Sequence, residues 1–128
     1  MSGETYYPTL ADVAAVARKI GAAVRDAGLI ESAVARPRTT IFGEDAYPDL
    51  WTKAAALLHS LVNNRPFGDG NKRVGWIVAV AFLRQNGTVS SSQLANADQD
   101  AAYDLVIAVA ESRLTEVDPI ADALRKVF

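Results

Sequence analysis

Cysteine is absent from the 128 residues, and histidine and methionine occur once each. Without thiols the chain has neither a disulfide framework nor a thiolate metal site, so a bound metal would take oxygen ligands. A basic excess is missing too: 13 Lys and Arg stand against 15 Asp and Glu, for a formal net charge of -2. General nucleic-acid binders carry a basic surplus, so direct nucleic-acid binding is not expected and any basic site must be local. Long apolar runs are also lacking. The longest, Val74 to Leu83, is far short of a membrane span, and the opening MSGETYYPTL has neither the basic residues nor the apolar core of a leader peptide. The expectation is a soluble, cytoplasmic protein held by no membrane. Half the residues are hydrophobic and 22% are charged, a globular balance. The length suits one domain over 1–128 with a single core.

What remains is helical almost throughout. Leu10, Val13, Ala17, Ile20 and Val24 recur at alternating spacings of three and four, which predicts a first helix that Gly28 ends. Residues 31–47 break that rhythm. There Pro37 and Pro48 bracket Thr39, Thr40, Ile41 and Phe42, a β-prone run suited to a loop or an edge strand and termed the flap below. Leu50, Ala54, Leu57, Leu58 and Leu61 predict a second long helix, stopped near Asn63-Asn64 because Pro66 disfavours helical geometry at Arg65. Further on, VGWIVAVAFL is apolar on every face, the pattern of a helix buried at the centre of the fold, with Asn86-Gly87 as its stop. Ser90 to Gln93 can open a short turn, and Ala101, Ala102, Leu105, Val106 and Val109 predict a helix to near Ser112. A last helix opens at Asp118 as cap with Pro119 at its first position. The fold class is therefore all-α, with no internal repeat and no linker.

Between the second helix and the apolar one lies RPFGDGNKR, residues 65–73. If Gly70, Asn71 and Lys72 open the apolar helix, their free backbone N–H groups and the positive end of the helix dipole would hold a phosphate. Lys72 and Arg73 add positive charge, Arg73 with a planar fork matched to phosphate oxygens. Asp69 has the opposite sign, which fits a magnesium ion bridging a carboxylate and phosphates. Together these residues read as a nucleoside triphosphate site. The plainer alternative is a tight turn over Gly68-Asp69-Gly70-Asn71, with Asp69 as a helix cap and Arg73 solvated; the clustering of the charges counts against it. The Walker glycine spacing is absent, and only a fragment of the calcium loop's spaced acids is present.

The same string, with LLHSL before it, AFLRQNG after it and the flap, resembles the Doc (death-on-curing) branch of the Fic and Doc superfamily. That resemblance implies a small helical bundle with a central buried helix and a short flap, and transfer of part of a nucleoside triphosphate to a protein hydroxyl. By the same resemblance Phe67 anchors the loop in the core, Asp69 holds Mg2+, Gly70 and Asn71 form the anion hole, and Arg73 binds phosphate. Lys72, together with Trp76 where AMP-transferring members carry a second arginine, is similar to the Doc branch. It implies phosphoryl transfer, typically to a translation elongation factor, under the control of a Phd-like antitoxin. A strand over Thr39, Thr40, Ile41 and Phe42 could take up an extended target segment by β-augmentation; an ordinary mobile loop is the other reading.

The departure is Arg65, at the position where the family has histidine. That histidine takes a proton from the attacking hydroxyl, work that needs a pKa near the operating pH. Arginine stays protonated, and loss of a positioned base costs on the order of 10²- to 10⁴-fold in rate. The chain as written is thus expected to be nearly inactive, or to be a binding module that takes only nucleotide or a partner. His59, six residues earlier among helical apolar residues, reads as structural rather than as a replacement base. Trp51 and Trp76 read as packing.

Overall fold

The computed structural model describes residues 4–128; Met1–Gly3, part of the stretch expected to lack a leader's features, lie outside the described residues. At Thr9 a capping box starts the chain's first helix: the Thr9 hydroxyl accepts from the Asp12 N–H and the Asp12 carboxylate from the Thr9 N–H. This helix, α1 (Leu10–Ile20), buries Val13 and Ala17 and stops at Gly21, whose φ of 77° gives the left-handed cap. The helix does not continue through Val24 to Gly28 as expected. Residues 23–26 are not helical, and Val24 forms an antiparallel β-bridge to Phe67. Asp26 then caps a second helix, α2 (Ala27–Ala35), which buries Ile30, Ala33 and Val34. Residues 31–35, read as flap, are therefore helical.

After a 3₁₀ turn over Arg36–Arg38, the flap itself is a hairpin of β1 (Thr40–Ile41) and β2 (Glu44–Asp45), paired antiparallel as Thr40 with Asp45 and Ile41 with Glu44. Phe42 and Gly43, at φ 52° and 82°, make its two-residue turn, the left-handed pair that matches strand twist. Of the four residues read as a strand, only Thr40 and Ile41 are one. Thr39 ends the 3₁₀ turn and Phe42 is a turn residue.

Asp49 caps α3 (Leu50–Asn64) with a second capping box. This is the most enclosed helix, burying every residue from Thr52 to Leu58 and then Ser60, Leu61 and Val62 beneath α2 and three later helices. Those are α4 (Asn71–Gln85), α6 (Gln99–Ala110) and α7 (Val117–Val127), with the short α5 (Ser91–Ala95) between α4 and α6. The apolar α4 is buried along Val74, Val78, Ala79, Phe82 and Leu83, but Ile77 remains 38% exposed. Trp76 stacks on Phe128 with centroids 6.1 Å apart, and Trp51 lies against the same ring. Gly75 brings α4 close to α3, since a Cβ there would lie 2.9 Å from Val62 Cγ2. At the other end of α4 the Asn86 amide brackets Tyr6, accepting from its N–H at 2.8 Å and donating to its carbonyl at 3.0 Å.

The last helix starts two residues earlier than expected, with Glu116 as N-cap. Pro119 therefore stands third in the helix rather than first, still within the turn where no backbone N–H is needed. Phe67, Phe82, Ile30, Leu57, Leu58 and Leu61 are fully buried in one hydrophobic cluster. Seven α-helices and one small hairpin make the described chain all-α. No helix among the described residues is long and apolar enough to cross a membrane.

Candidate functional site: a cationic cleft at the start of α4

Arg65 ends α3 in the left-handed conformation, φ 54° and ψ 55°, and its carbonyl accepts a hydrogen bond from Arg25 Nη2. The next residues are fastened by the segment that follows α1. The Pro66 carbonyl accepts from the Arg25 and Asp26 N–H groups at 2.8 and 3.0 Å, and the Gly68 N–H donates to the Ala23 carbonyl at 3.1 Å. Phe67 sinks into the core at 1% exposure. Its backbone is gripped from below by Asn71, whose Oδ1 accepts from the Phe67 N–H at 3.0 Å while Nδ2 donates to the Phe67 carbonyl at 3.1 Å. The Asn71 amide is thereby committed to the loop. What this residue can offer an anion is its backbone N–H.

Gly70 is the N-cap of α4 at φ 89°, and a Cβ on it would meet Ala22 Cβ at 3.2 Å, so both backbone conformation and space call for glycine. No side chain caps α4. Asp69 turns its Oδ1 to the Gly70 N–H at 2.9 Å, one residue short of the helix. The N–H groups of Asn71, Lys72 and Arg73 therefore have no side-chain acceptor and face outward with the dipole's positive end.

These groups border a cleft of about 300 Å³, closed on one side by Ala110 of α6. Its charged side chains are Arg65, Lys72, Arg73 and Asp69. Three cations and one carboxylate leave a local charge of +2, opposite in sign to the whole chain's -2. None of the three cations is in an ion pair with another described residue, so their positive field is not neutralised internally. An adjoining groove of about 360 Å³ shares Lys72 and Arg73 and is walled by Trp76, Tyr103, Val106 and Ile107. The donor set fits a polyphosphate. For a metal, no group of three acidic, histidine or cysteine side chains exists among the described residues. Asp69 alone fits an ion such as Mg2+ that draws its other ligands from phosphates and water.

Arg65, Asp69, Gly70, Asn71, Lys72 and Arg73 thus come together in one cleft, while His59 and Thr39 to Phe42 do not line it. His59 turns to the 3₁₀ turn, where its Nδ1 lies 2.8 Å from Arg36 Nη1. Burial, and then the Arg36 charge, hold its pKa below the usual histidine value against an opposing pull from Glu116. Of the hairpin, Ile41 is 58% exposed and Phe42 fully so. The sequence reading missed the Ala23–Asp26 clamp, because Val24 falls on the helical stripe by spacing; only Gly21 signals the break.

The sequence pattern of the Fic/DOC family matches residues 7–83. Over 101 residues, 79% of this chain and 75% of the relative, the chain is 50% identical to "Toxin Doc" of Mycolicibacterium smegmatis. With the family pattern spanning more than half of the chain and running through α3, the loop and most of α4, the protein belongs to the Fic/DOC family.

Proposed function

We propose that the chain is the toxin of a toxin–antitoxin pair in the cytoplasm, built to transfer a phosphoryl group from a nucleoside triphosphate to a hydroxyl of a protein. The observation that carries this reading is the cleft at the uncapped start of α4, with three unpaired cations around a single carboxylate. Phosphoryl transfer asks a protein mainly for positioning and for neutralisation of oxygen charge. The N–H groups of Asn71 to Arg73 and the Arg73 fork would receive phosphate oxygens, with Lys72 as a further point charge. Asp69 would hold Mg2+, which when bound offsets negative charge on the phosphates. Lys72, and Trp76 in place of a second arginine, favour phosphoryl over AMP transfer. The exposed hairpin would take up an extended segment of the target, with a translation elongation factor as that target. The name of the M. smegmatis relative supports the toxin reading, and with it a Phd-like antitoxin as partner.

Arg65 stands where the base should be and cannot accept the hydroxyl's proton. The chain as written is therefore nearly inactive, and Arg65→His should raise transfer on the order of 10²-fold or more. The test incubates the histidine variant and the parent with cell extract and triphosphate labelled at the γ or the α position. Label from γ on protein identifies the kinase, and label from α identifies nucleotidyl transfer. No label from either, with the histidine in place, overturns the enzyme reading and leaves a binding module.

A further inference from the structure

The hairpin has no core of its own. Every residue from Thr40 to Asp45 is exposed, and a lone two-stranded hairpin is marginal in water. Its orientation must come from its two ends, and both are held by basic side chains. At the leading end the Arg36 carbonyl accepts from the Thr39 N–H at 3.0 Å and the Thr39 hydroxyl at 2.7 Å. The Arg36 guanidinium then reaches three ways: Nε donates to the Tyr47 hydroxyl at 3.0 Å, and Nη1 faces His59 Nδ1 at 2.8 Å and donates to Ser60 Oγ at 3.0 Å. At the trailing end Lys53, only 4% exposed, donates to the Asp45 carboxylate at 3.2 Å and to the Tyr47 carbonyl. One arginine and one buried lysine thus tie the hairpin to α3, the helix whose last turn delivers Arg65.

We propose that Arg36 is a positioning residue for the target-presenting hairpin, and that its contact with His59 on α3 requires the neutral ring, so that acid loosens the leading end of the hairpin while Lys53 keeps the trailing end. The role in presenting a target rests on the reading above; the latch itself does not. An arginine donates and never accepts, so the 2.8 Å contact requires His59 Nδ1 to be the acceptor, with its proton on Nε2. Protonation puts a second N–H at Nδ1 and a positive charge against the guanidinium. The hydrogen bond is lost and repulsion replaces it.

Around Arg36 the other titratable groups are Tyr47, whose hydroxyl accepts from its Nε, and Glu116 and Asp118 at the start of α7, which line one cavity with Arg36 and Tyr47. Lys53 lies on α3 itself. Glu116 favours the charged ring, but burial and Arg36 outweigh it, so the latch is closed near neutrality and opens below pH 6.5. No group of the cleft takes part in the contact, so the latch is separable from phosphate binding.

Amide exchange at residues 40–46, corrected for the intrinsic effect of pH, tests this from pH 7.5 to 5 in the full chain. In the parent, hairpin exchange should rise on the order of tenfold as His59 protonates, the loss expected for a hydrogen bond to a charged group. With a single histidine in the chain its Hε1 resonance needs no assignment among others, so NMR reports its titration directly. His59→Gln, which can offer an uncharged acceptor at every pH, should flatten the profile, and Arg36→Met should leave exchange fast throughout. Should Arg36→Met fold poorly, the parent and the glutamine variant decide alone. Hairpin exchange that stays constant while His59 titrates, or that rises equally in His59→Gln, overturns the latch. In an Arg65→His background that transfers label, Arg36→Lys should raise KM for the protein target and spare kcat; an unchanged KM overturns the positioning role. If that background transfers nothing while hairpin exchange follows pH, the enzyme reading fails and the latch stands.

Discussion

Asn71→Ala separates what the Asn71 side chain does from what its backbone does. The amide accepts from the Phe67 N–H at 3.0 Å and donates to the Phe67 carbonyl at 3.1 Å, with Asn71 8% and Phe67 1% exposed. Truncation removes both hydrogen bonds at once and leaves a buried donor and a buried acceptor, each costing about 1–3 kcal/mol when unpaired. Partial relaxation of the loop toward water brings the expected total to about 2–4 kcal/mol. For a chain of this length that lowers the melting temperature on the order of 10 °C. Urea unfolding at pH 7.5, read by far-UV circular dichroism, measures it against Lys72→Ala, an exposed neighbour expected to change stability by less than about 0.5 kcal/mol. The reasoning is refuted if the two variants have the same midpoint, because the Asn71 amide would then be a free ligand for substrate and not the clamp of the loop.

Gly75→Ala should be destabilising by about 1–3 kcal/mol, since the new methyl lies 2.9 Å from Val62 Cγ2 and 3.5 Å from Leu61 Cβ. Alanine is intrinsically better in a helix by about 1 kcal/mol, so a net gain in the same unfolding assay would refute the close approach of α3 and α4. Stability should also depend on pH through His59, whose folded pKa is lowered by burial and by Arg36. The unfolded chain then binds the proton first, so this contribution is complete above pH 6.5 and fades as pH falls from there toward the lowered folded value. Urea midpoints at pH 7.5 and 5.5 should fall more in the parent than in His59→Gln, and equal falls would refute it.

The long helices were legible because their signals are redundant. In α3 the leucine stripe and the terminal proline agree, and the chain follows them. The cleft's lining was legible for a different reason: glycine, asparagine and three cations fall within nine residues, and the chain brings Arg65, Gly70, Asn71, Lys72 and Arg73 to one cleft. What escaped was set by geometry that spacing does not encode. Val24 continues the α1 stripe in sequence, yet Gly21 has already turned the backbone left-handed and Val24 pairs with Phe67. The helix α2 was hidden by that same misplaced boundary, although Ile30, Ala33 and Val34 carry a helical spacing. Whether Asn71 served phosphate or loop depended on where its amide points, and the buried rotamer turns it to Phe67.

The loop's construction also makes position 65 chemically independent of the fold. Arg65 contributes to the loop through its carbonyl, which accepts from Arg25, while Pro66, Phe67, Gly68 and Asn71 make the remaining attachments through backbone groups and one amide. Its side chain is exposed and unpaired with any described carboxylate. Removing it strands no partner. Its φ of 54° is a conformation in which histidine is enriched among non-glycine residues, so the exchange adds no backbone strain. Arg65→His should therefore leave the unfolding midpoint within about 0.5 kcal/mol of the parent. Any change in transfer activity then reports the chemistry of the side chain and not the integrity of the loop. A loss of stability above about 1 kcal/mol would show that the arginine has become part of the scaffold, and would refute the separation of site from fold at this position.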